Sequence, residues 1–233
     1  MSTTSDPGLA LALNGLRFRW PGTDHEVLDI EALQVPRGQT LFVRGPSGCG
    51  KSTLLSLLAG VLVARDGQVQ ALGQSWSALS PSRRDRFRAD HLGYIFQQFN
   101  LLPYLSVLDN VRLPCRFSPR RAARTAAGAA ESLLSRTGLP ERHWRRSAGE
   151  LSIGQQQRVA AARALIGQPE IVIADEPTSA LDEPLREAFM DLLLGACAEA
   201  GSTLVFVSHD ARLAERFERV VDLPTLNRAA VVA

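Results

Sequence analysis

Four short runs of apolar and β-branched residues punctuate the chain: TLFVRG from Thr40 to Gly45, GYIF from Gly93 to Phe96, EIVIAD from Glu170 to Asp175 and TLVFVSH from Thr203 to His209. None alternates with polar positions, so each suits a strand covered on both faces, as in a parallel sheet. Helical patterns separate them, which predicts an α/β core built from crossover units. From about Phe99 to Glu150 no strand pattern occurs. There Ala123, Ala126, Ala127, Ala130, Leu133 and Leu134 recur at helical spacing, and Gly138 then Pro140 close the pattern. This predicts a helical subdomain inserted into the α/β core. The ends, residues 1–8 and 224–233, are expected to be loose.

Composition narrows the reading only a little. The 233 residues suffice for one large domain with an inserted subdomain, and 45% hydrophobic with 21% charged residues argues against disorder. A net charge of +2 gives no reason to expect a nucleic-acid partner. Cys49, Cys115 and Cys197 form no C-x-x-C pair, which fits a reducing compartment. The opening MSTTSDPG has no basic region leading into an apolar run, so no signal peptide is expected. The longest apolar stretch, Leu54 to Ala64, falls short of the ~20 residues of a membrane span. A cytoplasmic protein that meets a membrane through a partner is expected.

Three stretches carry chemistry. GPSGCGKST, from Gly45 through Pro46, Ser47, Gly48, Cys49, Gly50, Lys51 and Ser52 to Thr53, fits G-x-x-x-x-G-K-[ST] between a strand and an apolar helix. Its glycines let backbone N–H groups turn toward phosphates at a helix N-terminus. Lys51 would reach the β- and γ-phosphates of ATP, and Ser52 would place its hydroxyl on Mg²⁺. IVIADEPTSALD ends a buried strand in two carboxylates, where ligands of open α/β sheets bind. Asp175 is the candidate Mg²⁺ ligand and Glu176 the residue that polarises the attacking water. His209 ends another core strand on the same edge, in reach of a γ-phosphate.

These stretches, with GYIFQQFNLLP and GELSIGQQQRVAAARAL, occur in the order seen in the ATPase subunits of ATP-binding cassette (ABC) transporters, which the chain resembles from about Leu9 to Leu223. The resemblance implies a P-loop NTPase core (9–98 and 155–223) with a β-subdomain, and a helical subdomain over 99–154. It implies two cassettes facing head to tail, each ATP lying between the phosphate loop of one and the signature turn of the other. Gln97 then links Mg²⁺ and water to the membrane subunit, and Trp20 stacks on adenine, with Phe18 a neighbouring candidate. Ser179, Ala180, Leu181 and Asp182 match the loop that touches the opposite site.

The signature pattern LSGGQ stands here as Leu151, Ser152, Ile153, Gly154, Gln155. Ser152 is a natural N-cap, which explains it locally; the resemblance instead aims its hydroxyl and the neighbouring amides at the γ-phosphate. Isoleucine tolerates only negative φ, which a first helical residue supplies. A functional composite site is expected, with Ile153 the feature that would slow it. An arginine-rich stretch (Arg83, Arg84, Arg86, Arg88) runs into the glutamine strand and FNLLPYLSVLDNV, a phrase resembling the ATPases of lipoprotein-release and macrolide-export systems. Amino-acid and methionine importers carry a similar phrase. Phe99, Leu101, Leu102, Pro103 and Tyr104 either pack into the helical subdomain or line a groove for a coupling helix of the membrane subunit. The expected partners are a transmembrane permease and a second cassette, in a homodimer or in a heterodimer with a similar cassette. A soluble ABC ATPase acting on nucleic acid or ribosomes is the rival reading.

Overall fold

The computed structural model describes residues 8–64, 68–179 and 181–229. Its strands are β1 (Leu9–Phe18), β2 (Leu28–Pro36), β3 (Thr40–Arg44), β4 (Val69–Ala71), β5 (Gln74–Ser75), β6 (Leu92–Ile95), β7 (Ile171–Asp175), β8 (Thr203–Val207) and β9 (Arg219–Asp222). Its helices are α1 (Lys51–Leu58), α2 (Pro81–His91), α3 (Val107–Phe117), α4 (Pro119–Arg124), α5 (Ala129–Arg136), α6 (Ile153–Leu165), α7 (Glu183–Ala200) and α8 (Leu223–Leu226). All four continuous apolar runs are strands of one parallel sheet, ordered β6-β7-β8-β3-β9.

The alternation missing from the sequence pattern is present in the packing, because both faces are covered. Leu41, Val43, Ile171, Ile173, Val205 and Val207 point into one apolar cluster with α1 and the antiparallel sheet. Phe42, Val172, Ala174, Leu204 and Phe206 point into a second, with α6 and α7. The antiparallel sheet, ordered β2-β1-β4-β5, is the β-subdomain that the resemblance implies, and no alternation in the residues marks it. In β2 the buried positions run Leu28, Ile30, then Leu33, Val35, so the alternation slips by one residue midway.

The segment predicted to be helical contains α3, α4 and α5, and the apolar faces of α3 and α5 share a third cluster with α6. The alanine-rich pattern is two helices rather than one. Gly128, at φ 78°, breaks it; Ala130 and Leu134 are buried, while Ala123, Ala126 and Ala127 are exposed. Two buried polar side chains hold this segment. Asn110 meets Leu102 through its N–H and C=O and also donates to Ser106 O. Arg121 donates to the carbonyls of Leu92, Ala164 and Ile166, and burial lowers its pKa to about 10, which leaves it charged.

The expectation of a loose end from 224 onward is corrected over the described part. Asp222 caps α8, Asn227 receives Asp29 N–H and donates to Val27 O, and Arg228 N–H donates to Asp29 O. Residues 1–7 and 230–233 lie outside the described residues. Among the described residues no helix is long and apolar enough to cross a membrane.

Candidate active site

The loop between β3 and α1 is shaped by its glycines. Gly48 and Gly50 have φ of 82° and 96°, a region that L side chains rarely enter. A methyl at Gly50 would also sit 2.9 Å from Leu28 Cδ2, and one at Gly45 would sit 2.6 Å from Cys49 Sγ. The loop encloses the Lys51 ammonium, which donates to Gly45 O and Pro46 O, both at 2.9 Å. Lys51 is the chain's one lysine.

The sheet edge brings the predicted carboxylates to this loop. Asp175 is the last residue of β7 and is buried. Its pKa is raised by burial and by the charge on Glu176, against the opposing pull of a Ser52 hydrogen bond and of Lys51. Glu176 takes a left-handed φ of 45°, and its N–H donates to Val207 O at 3.0 Å. Such a conformation in a non-glycine residue costs about 1–3 kcal/mol and persists only where the surroundings enforce it. Here it turns the carboxylate out of the sheet. One oxygen lies 3.6 Å from Lys51 Nζ and the other 3.0 Å from Nδ1 of the exposed His209.

Trp20, Ser47, Gly48, Gly50, Lys51, Ser52, Thr53, Gln97, Asp175 and Glu176 line one cleft of about 480 Å³. Val27, which no sequence signal marked, also lines it. Phe18, the neighbouring candidate, does not line the cleft; it packs against the core and meets the indole of Trp20 edge-on at 5.4 Å. The Ser52 hydroxyl, Asp175 carboxylate and Gln97 amide offer hard oxygen donors along one wall. These fit Mg²⁺, which keeps several waters and shares phosphate oxygens. Among the described residues no cluster of three or more His, Cys, Asp or Glu could enclose a metal by itself.

Ser152, Gly154 and Gln155 do not line this cleft. They open α6, where Ser152 is the N-cap of a full capping box: Gln155 N–H donates to Ser152 Oγ at 3.4 Å, and Ser152 N–H donates to Gln155 Oε1 at 3.0 Å. Ile153 is the first helical residue and is 60% exposed. A methyl at Gly154 would meet Leu181 at an ordinary 3.5 Å, so nothing within the chain itself demands glycine there. Asp182 caps α7 through Leu185 N–H, and Ala180 lies outside the described residues.

A second depression, of about 300 Å³, lies between α2, β6 and α3 and is mostly apolar, with Val61, Tyr94, Phe96 and Phe117 on its walls. None of residues 99–104 lines it. Phe99 is buried in the second apolar cluster with Leu101 against it, whereas Tyr104 is 76% exposed.

The sequence profile of the family described as ABC transporter matches residues 28–179. The chain belongs to the ABC transporter family. It is 42% identical over 202 residues to the uncharacterized ABC transporter ATP-binding protein YbbA of Escherichia coli K12, covering 86% of this chain and 88% of YbbA. It is 38% identical over 219 residues to the macrolide export ATP-binding/permease protein MacB of Bradyrhizobium diazoefficiens, covering 94% of this chain but 33% of MacB. Among solved structures it resembles the ATP-binding cassette MJ0796 in a dimeric post-hydrolysis state bound to ADP and Pi. The TM-score is 0.82 at 34% identity, over 91% of this chain and 93% of that one. The chain is thus an ABC ATPase cassette, a P-loop NTPase fold that binds and hydrolyses ATP.

Proposed function

We propose that this cassette closes head to tail on a second copy around two ATP and drives a separate transmembrane subunit of the lipoprotein-release or macrolide-export type. The observation that carries the reading is the division of the site. The cleft holds the phosphate loop and both carboxylates, with His209 bonded to Glu176, yet the Ser152–Gln155 turn stands apart from it at the head of α6. Such a helix start attracts anions and gains its phosphate only from a second cassette. MJ0796, described as dimeric with ADP and Pi, is a relative in which two cassettes meet.

Within each site the roles follow from the contacts. The adenine stacks on Trp20 against Val27. The phosphates take the loop amides of residues 45–50, and Lys51 exchanges the carbonyls of Gly45 and Pro46 for the phosphate oxygens. That move also frees Glu176 from Lys51, leaving its carboxylate to accept a proton from the attacking water while His209 holds it in place. Ser52, Asp175 and Gln97 would hold Mg²⁺, which supplies charge neutralisation between the phosphates. The apolar groove at Val61, Phe96 and Phe117 would receive a short amphipathic helix of the membrane subunit; Phe96 adjoins Gln97, so docking there reaches the site. The 38% identity to MacB supports the export-type partner.

The test is a pull-down of the tagged chain from detergent-solubilised native membranes, with the copurifying protein identified by mass spectrometry. A subunit with about four spans and a large extracytoplasmic domain is expected. A compact multi-span permease would move the reading to importers. Ribosomal or DNA-bound material in place of any membrane protein would refute it.

A further inference from the structure

One arginine joins two loops that the site description leaves separate. Arg186, in the first turn of α7, donates through Nη2 to Leu181 O at 3.2 Å and through Nη1 to Asp210 Oδ2 at 3.1 Å. Leu181 belongs to the loop after the catalytic carboxylates; Asp210 directly follows His209. The Arg186 and Asp210 side chains are only 18% and 17% exposed, unlike the pairs that zip the rest of α7 to the segment after Asp210. Arg212 with Glu183 is largely in water, and Glu187 and Asp191 face Arg216 from exposed positions, so those pairs contribute little. A half-buried fork with two acceptors on different loops fixes geometry more firmly.

The contacts on either side of this fork lead to both halves of the composite site. Leu181 is buried against α6 at Gly154, in the signature turn. Asp210 is held by Arg212 and by its own N–H to Ser208 Oγ, and the residue before it, His209, bonds Glu176. A continuous run of contacts therefore links the signature turn to Glu176 through Leu181, Arg186, Asp210 and His209.

We propose that Arg186 is a positioning residue for ATP hydrolysis: by holding Leu181 O and the Asp210 carboxylate together, it sets His209 against Glu176 and ties that setting to the signature turn. This rests on the role given above to His209. Arg186 touches no substrate, so its loss misplaces a group and leaves nucleotide binding alone. Misplacement of about 1 Å slows a reaction up to ~100-fold.

The experiment compares steady-state ATPase of the purified full chain with Arg186→Met, Arg186→Lys, His209→Ala and the Arg186→Met/His209→Ala pair, with thermal melts of each. Arg186→Met is expected to lower kcat about tenfold with KM for ATP within about twofold. Arg186→Lys, which keeps the charge beside Asp210 but loses the fork, should fall between, and carries the test if the methionine variant does not fold. In the His209→Ala background Arg186→Met should add less than about twofold, because both act through one group. Histidine-labelled protein gives a second readout: Arg186→Met should shift the imidazole signal that His209→Ala removes and leave the other histidines in place. Equal slowing by Arg186→Met with and without His209, or wild-type kcat in both Arg186 variants, would overturn the proposal. A His209→Ala protein that hydrolyses ATP at the wild-type rate would instead remove the role of His209, and the role of Arg186 with it.

Discussion

Ser152 has two possible duties that different substitutions separate. As N-cap of α6 it accepts Gln155 N–H at 3.4 Å, and Gln155 answers at 3.0 Å. Losing such a cap to alanine costs about 1 kcal/mol, whereas glycine loses only a few tenths. In a domain of this size 1 kcal/mol lowers Tm by about 2–4 °C and leaves the folded population at 25 °C unchanged. A hydroxyl that donates to the γ-phosphate in the transition state is worth more, about 1.5–3 kcal/mol for a hydrogen bond to a charged group. That corresponds to about a 10- to 150-fold loss of rate. Ser152→Gly is therefore expected to keep Tm within about 2 °C and to slow ATP hydrolysis at least tenfold. Ser152→Asp is the sharper probe: aspartate caps as well as serine, but its charge would face the phosphate, so Tm holds and activity falls further. The assay is steady-state phosphate release at saturating ATP, paired with a thermal melt. Wild-type rates in both variants would leave Ser152 a helix cap only.

Four more outcomes are expected. Glu176→Gln should abolish phosphate release while retaining ATP binding by fluorescent-nucleotide titration, since the amide cannot accept the water's proton. Arg121→Met removes the donor to three carbonyls and relieves a buried cation, so a net loss of about 2–4 kcal/mol in urea unfolding is expected; a change below 0.5 kcal/mol would show those carbonyls find other partners. The raised pKa of Asp175 means that its ionised form weakens the nucleotide-free fold, a penalty that builds up as pH rises from the unfolded-state value to the folded one and vanishes below the unfolded value. Asp175→Asn should therefore raise Tm at neutral pH, lose that gain on acidification, and abolish Mg²⁺-dependent hydrolysis. Phe117→Asp, at a groove wall that is 64% exposed, should leave ATPase activity intact and abolish capture of the membrane subunit.

Local patterns carried a large part of this protein. A phosphate loop needs its glycines at set positions whatever lies around it, so residues 45–53 were legible as letters. The strands β3, β6, β7 and β8 were legible because burial on both faces leaves no polar position to interrupt them. The antiparallel strands were not, since β2 shifts its inward face midway and a period-two pattern misses it. The alanine stripe misled because small residues fit helix and loop alike, and only the left-handed Gly128 marks the break. Which aromatic lines the nucleotide cleft, and which apolar residues form the groove, depended on where β1, α2 and α3 pack. The cleft that gathers Trp20, Lys51, Gln97 and Glu176, and the reach of Arg186 to Asp210, bring together residues far apart in the chain. Motifs are set by chemistry within a few residues, and sequence alone determines them; contacts across long separations exist only once burial has chosen one packing, and the tertiary structure decides them.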